Sequence, residues 1–100
     1  MTEGKKRYLY ARIYWDKKNN KNVIYIGITK NMFFRQMQHD IGTTRTTNRY
    51  NKAYELTKIK YKEIPYKLLA EVRQEEINLK QKTLNEKLEI IKSWKKWGNL

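Results

Sequence analysis

The residues that decide the fold are VIYIGIT at Val23–Thr29 and KNMFFRQMQH at Lys30–His39, which follows directly. The first segment is typical of a strand that is buried on both faces. The second has an N-cap candidate in Thr29 or Asn31 and apolar residues four apart, so it predicts a helix. Arg35 and His39 are also four apart and share another face of that helix. A core strand that carries a phenol therefore leads into a helix with the only histidine.

The charge of the chain points to a polyanionic partner. Lysine and arginine number 23 against 10 acidic residues, a formal net charge of +13 over 100 residues. A chain of this length forms one domain with a modest core, and residues 1–6 are polar and predicted to fray. Such a charge on a small folded domain favours nucleic acid, because tyrosines among the lysines can stack on bases. A solvated basic surface is the alternative explanation of the same charge.

The composition also excludes several classes of site. The chain has no cysteine, so it has neither disulfides nor cysteine-based zinc sites. With one histidine, any metal would be a hard ion with oxygen ligands. No apolar segment is long enough to span a bilayer and no signal peptide is evident, so we expect a cytoplasmic protein.

A second strand is predicted before the central one. Strand formers fill Arg7–Trp15, and the polar segment 16–22 is typical of a turn, so the two strands should form an antiparallel hairpin. Alternation places Leu9, Ala11, Ile13 and Trp15 on one face and Tyr8, Tyr10, Arg12 and Tyr14 on the other.

The rest of the chain completes an α/β (α+β) fold with a small three-stranded antiparallel sheet flanked by helices. Residues 41–49 predict a loop, 48–58 a helix, and 66–72, after the only proline, a third strand. Residues 58–63 fit either class. The segment 74–97 has neither glycine nor proline and predicts one long helix. On that helix Glu86 lies in an apolar stripe with Leu79 and Ile90, where an unpaired carboxylate is costly, so it marks a pocket edge or pairs with a nearby lysine.

Five features in order resemble the GIY-YIG endonuclease family over essentially the whole chain. They are Tyr8-Leu9-Tyr10, the polar turn, Tyr25-Ile26-Gly27, Arg35-x3-His39, and the late glutamates Glu86-x2-Glu89. Tyr8-Leu9 stands where the family has Gly-Ile, and Asn99 approximates a terminal asparagine of the family. The resemblance implies a three-stranded sheet and cleavage of nucleic-acid phosphodiesters with Mg²⁺ or Mn²⁺.

The resemblance also implies a role for each motif residue. Glu86 would hold the metal, and Arg35 would clamp the scissile phosphate. Tyr10 would activate the attacking water, helped by Tyr25 and His39, and nearby cationic charge is expected to lower the pKa of its phenol. Gly27, after Ile26, would allow close packing of helix and strand or close approach of the substrate.

The substrate is expected to be DNA, bound with low sequence specificity by surface cations. The candidate contact residues are Lys30, Arg45, Arg49, Lys52, Lys67 and Asn99. Trp94 and Trp97 are expected to pack in the core, not to stack on bases. Two alternatives stay open. One is a non-catalytic nucleic-acid-binding module on this scaffold, and the other is a basic protein that dimerises through an apolar stripe of its last helix, Ile77, Leu84, Leu88 and Ile91. A homodimer is also compatible with the endonuclease.

Overall fold

The computed structural model describes residues 6–64 and 69–98. The elements along the chain are β1 (Arg7–Asp16), β2 (Lys21–Thr29), α1 (Met32–Asp40), α2 (Arg45–Ala53), β3 (Glu55–Ile64), α3 (Leu69–Lys80), α4 (Leu84–Ile91) and β4 (Lys95–Trp97). Within the described ranges the strands form one antiparallel sheet in the order β2-β1-β3-β4. The α+β class is confirmed, but the sheet has four strands where the sequence predicts three.

The hairpin of β1 and β2 is confirmed. Its turn is held by the Asp16 carboxylate, which accepts hydrogen bonds from the backbone and side chain of Asn19 at 3.2 and 2.7 Å. Asn20 takes a left-handed conformation with φ 55°, which asparagine tolerates better than most residues. The register pairs Tyr10 with Gly27 and Arg12 with Tyr25, so these four residues share one face of the sheet.

The two faces of the sheet carry different chemistry. One face is aliphatic and packs against α3 and α4; its buried cluster is Leu9, Ala11, Ile13, Ile26, Ile64, Val72, Leu79 and Ile91. Burying each larger aliphatic side chain contributes about 1.5–3 kcal/mol, so this face supplies most of the core. The other face carries tyrosines and Arg12 and lies under α1 and α2. The predicted alternation in β1 therefore separates the core from a polar, aromatic layer.

A buried cation fixes α1 and α2 against this second face. Arg12 is fully buried and donates three hydrogen bonds, to Tyr14 at 2.9 Å, to Gln36 at 2.8 Å and to Asp40 at 3.0 Å. Tyr14 in turn donates to the Asn51 side chain at 3.1 Å. Because a buried guanidinium needs all of its donors satisfied, this network sets the position of α1 relative to β1.

The middle of the chain departs from the prediction. Helix α2 begins at Arg45, inside the predicted loop, and ends at Ala53, before the predicted helix end. The third strand is β3, residues Glu55–Ile64, and not 66–72. Of that predicted strand, residues 69–72 lie in α3 and 66–68 fall outside the described ranges.

The predicted long helix over 74–97 is wrong. Helix α3 ends at Lys80, and α4 starts at Leu84 after the N-cap Thr83, followed by the short strand β4. The apolar stripe proposed for a dimerising helix therefore spans two separate helices and forms no continuous seam. None of the helices in 6–64 and 69–98 is long and apolar enough to cross a membrane. Of the segment predicted to fray, only Lys6 is described, and its ammonium pairs with Glu63 at 2.7 Å.

Candidate active site

Four of the residues predicted from the sequence meet on the tyrosine face. Tyr10 and Tyr25 come from the hairpin, and Arg35 and His39 from α1. The ring centroid of Tyr25 lies 5.2 Å from that of His39 and 6.3 Å from that of Tyr10. Next to them is a cavity of about 340 Å³, lined by Tyr10, Tyr25, Gly27, Ile28, Arg35, Arg73, Glu76 and Ile77. It extends around the edge strand β2, so that α3 closes one side.

A hydrogen-bond chain runs from the cavity into the protein. The Tyr10 hydroxyl lies 2.6 Å from Nε2 of His39, and Nδ1 of His39 lies 2.7 Å from the Thr47 hydroxyl. The Thr47 hydroxyl donates to the carbonyl oxygen of Thr44 at 3.4 Å, so it accepts from Nδ1–H of His39. Nε2 is then unprotonated and accepts the phenolic proton of Tyr10.

Burial keeps both members of this pair neutral. It raises the pKa of Tyr10 to about 12, against a hydrogen bond from Arg35 that lowers it. Burial and the positive charges of Arg12 and Arg35 lower the pKa of His39 to about 3. The prediction that cationic charge lowers the pKa of Tyr10 is therefore wrong, because desolvation of the phenolate outweighs the charge of the guanidinium groups. At neutral pH Tyr10 is a hydrogen-bond donor and His39 is an acceptor.

Arg35 lies beside the two tyrosines and, like them, lines the cavity. Its Nε donates to the Tyr10 hydroxyl at 3.4 Å, and its NH1 group donates to Gln38 at 3.1 Å. Burial opposes the charged form most strongly, but hydrogen bonding and charge interaction with Tyr10 and Tyr25 raise the pKa of Arg35 above its ordinary value. The side chain is thus a partly buried, permanent cation that faces the cavity.

Gly27 makes room for the Tyr10 ring, which is a different reason from the two predicted. An added Cβ at Gly27 would lie 2.5 Å from the Tyr10 hydroxyl and 2.6 Å from its Cζ. The glycine is therefore required because Tyr10, its neighbour across the strand pair, lies over it. Ile26, the preceding motif residue, points to the opposite face and is buried in the aliphatic core.

The structure does not bring Glu86 to this site. Glu86 is exposed, does not line the cavity, and forms a capping box with Thr83, whose backbone N–H it binds at 2.9 Å. Hydrogen bonds from Thr83 lower the pKa of Glu86. The prediction failed because the apolar stripe around Glu86 assumed one helix through 81–83, where the helix in fact breaks. The sequence Thr83-x-x-Glu86 is itself a capping-box signature and signals a helix start.

The carboxylate at the cavity is Glu76, which is not among the site residues predicted from the sequence. The Glu76 side chain is 17% exposed and pairs with Lys80 at 3.1 Å, one helical turn later. It lies four residues after Val72 and three before Leu79, both buried, so it shares their side of α3. That spacing could have identified Glu76 had α3 been predicted as a helix of its own. Arg73, also on the cavity, was missed for the same reason.

Comparison of the chain with protein-family models, characterised proteins and solved structures finds no match. The resemblance to GIY-YIG endonucleases therefore stays a prediction from sequence motifs.

The donor set of the cavity is compatible with one hard divalent cation. The described residues contain no group of three or more histidines, cysteines or carboxylates that would form a ready metal cage. However, Mg²⁺ is usually bound by one or two carboxylates, with water and substrate phosphate as the other ligands. Glu76, the carboxylate that lines this cavity, satisfies that minimum.

The predicted DNA contacts lie on the same side as α1 and α2 where they are described. Arg45, Arg49 and Lys52 are exposed on α2, and Lys30 is exposed between β2 and α1. Lys67 and Asn99 fall outside the described residues. The exposed cations therefore form a positive surface beside the helix that carries Arg35 and His39.

The low pKa of His39 makes stability depend on pH. Unfolded His39 binds a proton below about pH 6.5, whereas folded His39 does so only near pH 3. We therefore expect the free energy of unfolding to decrease as the pH is lowered from about 6.5 to about 3. The His39 contribution should approach about 1.4 kcal/mol per pH unit and vanish above the unfolded pKa. Urea denaturation at a series of pH values measures it. Because Asp16 also has a lowered pKa, His39→Gln is the control; parallel curves for both proteins would contradict a neutral buried imidazole.

Proposed function

We propose that this chain is a metal-dependent endonuclease that hydrolyses phosphodiester bonds of DNA. The observation that carries the proposal is that a phenol, a fixed cation and a carboxylate line one cavity, and that a buried imidazole is hydrogen-bonded to the phenol. Tyr10 and His39 supply a proton path, Arg35 supplies the cation, and Glu76 supplies the carboxylate. Phosphodiester hydrolysis needs all three functions, namely proton removal from water, charge stabilisation on the phosphoryl oxygens and positioning.

Arg35 binds the scissile phosphate in this proposal. Its Nε is directed to Tyr10, so its terminal nitrogens are the part that meets two phosphoryl oxygens. Since Arg35 is held by both Tyr10 and Gln38, little reorganisation is needed when charge develops on those oxygens. Lysine could supply the charge but not the planar pair of donors.

Tyr10 and His39 take the proton of the attacking water by a relay. A phenol with a pKa of about 12 is not deprotonated beforehand. The water proton therefore passes to the Tyr10 oxygen while the phenolic proton passes to Nε2 of His39 over the 2.6 Å hydrogen bond. Phosphate binding favours this transfer, because its negative charge offsets the Arg12 and Arg35 charges that oppose protonation of His39. Tyr25 lines the cavity beside Arg35 and positions the water or the phosphate.

Glu76 would hold the Mg²⁺ ion, which when bound neutralises phosphoryl charge and lowers the pKa of a coordinated water. To do so Glu76 gives up its ion pair with Lys80, an i,i+4 helix pair of a kind that contributes only about 0.3–0.5 kcal/mol. Once this ion pair is broken, the Lys80 ammonium can bind a DNA phosphate.

The DNA backbone has a basic path next to the cavity. A groove of about 390 Å³ shares Tyr25 with the cavity, and Lys80, Lys87, Thr46 and Tyr50 are among its lining residues. Contacts from lysines and hydroxyls to phosphates carry no base readout, so binding should depend steeply on salt and weakly on sequence. The exposed cations of α2 extend the same surface.

The proposal is tested by incubating unrelated DNA fragments with the chain and Mg²⁺ and following cleavage on gels. We expect cleavage that EDTA abolishes, and a fall of about 100-fold or more in Arg35→Ala, since removal of one preorganised donor to a developing oxyanion costs about that much. Lys17→Ala, an exposed turn residue that also removes one charge, is the control for lost electrostatics and should leave cleavage within about twofold.

DNA affinity of the same variants separates catalysis from binding. Arg35→Ala should still bind DNA, because most of the +13 charge is unchanged. A wild type that binds DNA but never cuts it would overturn the endonuclease and leave the non-catalytic binding module. Equal cleavage by wild type and Arg35→Ala would remove Arg35 from the mechanism.

A further inference from the structure

An aromatic groove lies on the same face of the sheet as the candidate active site. The rings of Tyr8, Tyr61 and Trp97 follow one another across β1, β3 and β4, with centroids 5.9 Å and 5.8 Å apart. Together with Lys30 and Phe33 they line a groove of about 370 Å³, within the size range of small-ligand sites. Trp97 packs against the buried cluster of Tyr10, Met32 and Ile59, as expected, and its half-buried ring also lines this groove. Trp94 packs on the aliphatic core, as expected.

The aromatic rings of the groove pack against a buried cluster on one side and are open to solvent on the other. Phe33 is 71% exposed at its rim, and Tyr8, Tyr61 and Trp97 are only partly buried. The ring planes of neighbouring members meet at 67° and 86°, in edge-to-face contact. Aromatic side chains left open in this way offer planar apolar surface to a ligand with a planar ring.

The electrostatics at one end of the groove suit an anion. Lys30 is exposed there, and it directly precedes Asn31, the N-cap of α1. The first turn of α1 contains no acidic residue, so the positive end of the helix is not neutralised by its own side chains. A ligand that fits the groove would therefore combine a planar apolar part with a negative group.

The groove is close to the reacting groups. Tyr8 and Tyr10 lie on the same face of β1, two residues and about 7 Å apart along the strand. Nucleotides in one stacked strand follow at about 3.4 Å, so a base in the groove would lie within a few nucleotides of a phosphate at Arg35. One DNA strand could therefore occupy the groove and the proposed cleavage site at the same time.

We propose that this groove binds the unpaired bases of a single DNA strand, stacked on Phe33, Tyr61 and Trp97 with a phosphate at Lys30. Bases in a duplex are stacked on one another and do not present their faces, so the groove favours single-stranded or flapped DNA over fully paired DNA. The inference rests on the proposed function, since it names the form of DNA that reaches the cavity. Its test, however, measures binding in EDTA and needs no cleavage.

The test compares the affinity of the full chain for two labelled oligomers of equal length, an oligothymidylate and an abasic phosphodiester chain. Fluorescence anisotropy at fixed salt measures both. We expect the wild type to bind the oligothymidylate about tenfold more tightly, a ratio typical of base–aromatic stacking. Phe33→Ala should reduce that ratio about fivefold. Because Phe33 is 71% exposed, the variant should fold normally.

Phe34→Ala is the matched control. Phe34 is the next residue of α1 and is 52% exposed, but it does not line the groove, so its removal should leave the ratio within about twofold of the wild type. Equal wild-type affinity for the two oligomers would overturn the proposal, as would absence of binding to either. Equal effects of the two substitutions would also overturn it. Each of these results is independent of whether the chain cleaves DNA.

Discussion

Glu76→Gln should reduce Mg²⁺-dependent cleavage by about 1,000-fold or more. Glu76 supplies the carboxylate at the cavity, and the amide of glutamine cannot replace its charge in holding Mg²⁺. Loss of a metal that stabilises the transition state by several kcal/mol corresponds to a rate loss of this order. Initial rates of nicking across a Mg²⁺ titration measure the effect. If Glu76 acts through the metal, higher Mg²⁺ should restore part of the rate.

Glu86→Gln is the matched control for the same change of charge. Glutamine at this position keeps the capping box with Thr83, so the helix start survives the substitution. Cleavage should therefore stay within about twofold of the wild type, and stability should change by less than about 1 kcal/mol. Loss of cleavage in Glu86→Gln with normal cleavage in Glu76→Gln would reverse the assignment and restore the role that the sequence predicted.

The half of the site that comes from the hairpin and α1 could be predicted because its signals are local. Alternation within β1 placed Tyr10 and Arg12 on one face, and the four-residue spacing in α1 placed Arg35 and His39 together. Since the polar turn fixes the hairpin register, Tyr10 and Tyr25 lie near each other with no long-range information. The same locality explains why Gly27 was recognised as important, although its contact with Tyr10 was not.

The acidic half could not be placed because its position depends on a break in a helix. A run without glycine or proline predicts one continuous helix from 74 to 97. Because the helix breaks after Lys80, the predicted positions around the helix axis are wrong for the residues that follow. Three polar residues, Gln81–Thr83, end one helix and cap the next. Capping of this kind contributes about 1 kcal/mol, less than the packing of either helix, so composition alone did not reveal it.

The misplaced third strand has a related cause. Ile59 and Tyr61 alternate with Lys58, Lys60 and Lys62 at a period of two, but the lysine content lowers the apparent strand propensity. In the structure Tyr61 packs on the tyrosine face, while Lys60 reaches the carbonyl groups of Lys92 and Trp94 at 3.4 and 3.3 Å on the other. Long lysine stems can lie along a sheet and leave the charge in water, so charge does not exclude a strand.

The pKa of Tyr10 could not be predicted from sequence at all. Its ionisation depends first on burial and then on the hydrogen bond from Arg35, which is 25 positions away along the chain. Net charge indicated a lower pKa, and burial reversed the sign. This reversal changes the proposed mechanism from a phenolate base to a proton relay, which requires the 2.6 Å hydrogen bond between the Tyr10 hydroxyl and His39.

Gly27→Ala should test that placement most directly. The added methyl would lie 2.5 Å from the Tyr10 hydroxyl, which is held at 2.6 Å from His39 in a fully buried position, so either the phenol or β2 must shift. We expect cleavage to fall about 100-fold or more, because a displacement of about 1 Å in a reacting group has that effect. Overpacking should also lower the free energy of unfolding by about 1–3 kcal/mol, measurable by urea denaturation.

Gly98→Ala and Tyr10→Phe distinguish a local steric effect on the hydroxyl from general loss of stability. Gly98 has φ 76°, and a Cβ added there would have no atom within 4 Å. Alanine at this position therefore adds backbone strain but should leave cleavage nearly unchanged. If Gly27→Ala acts through the hydroxyl, combining it with Tyr10→Phe should lower cleavage no further than Tyr10→Phe alone, since residues that act as a unit are not additive. Additive losses in the double variant would mean that Gly27 affects the site by another route, with displacement of Tyr25 on β2 the next candidate.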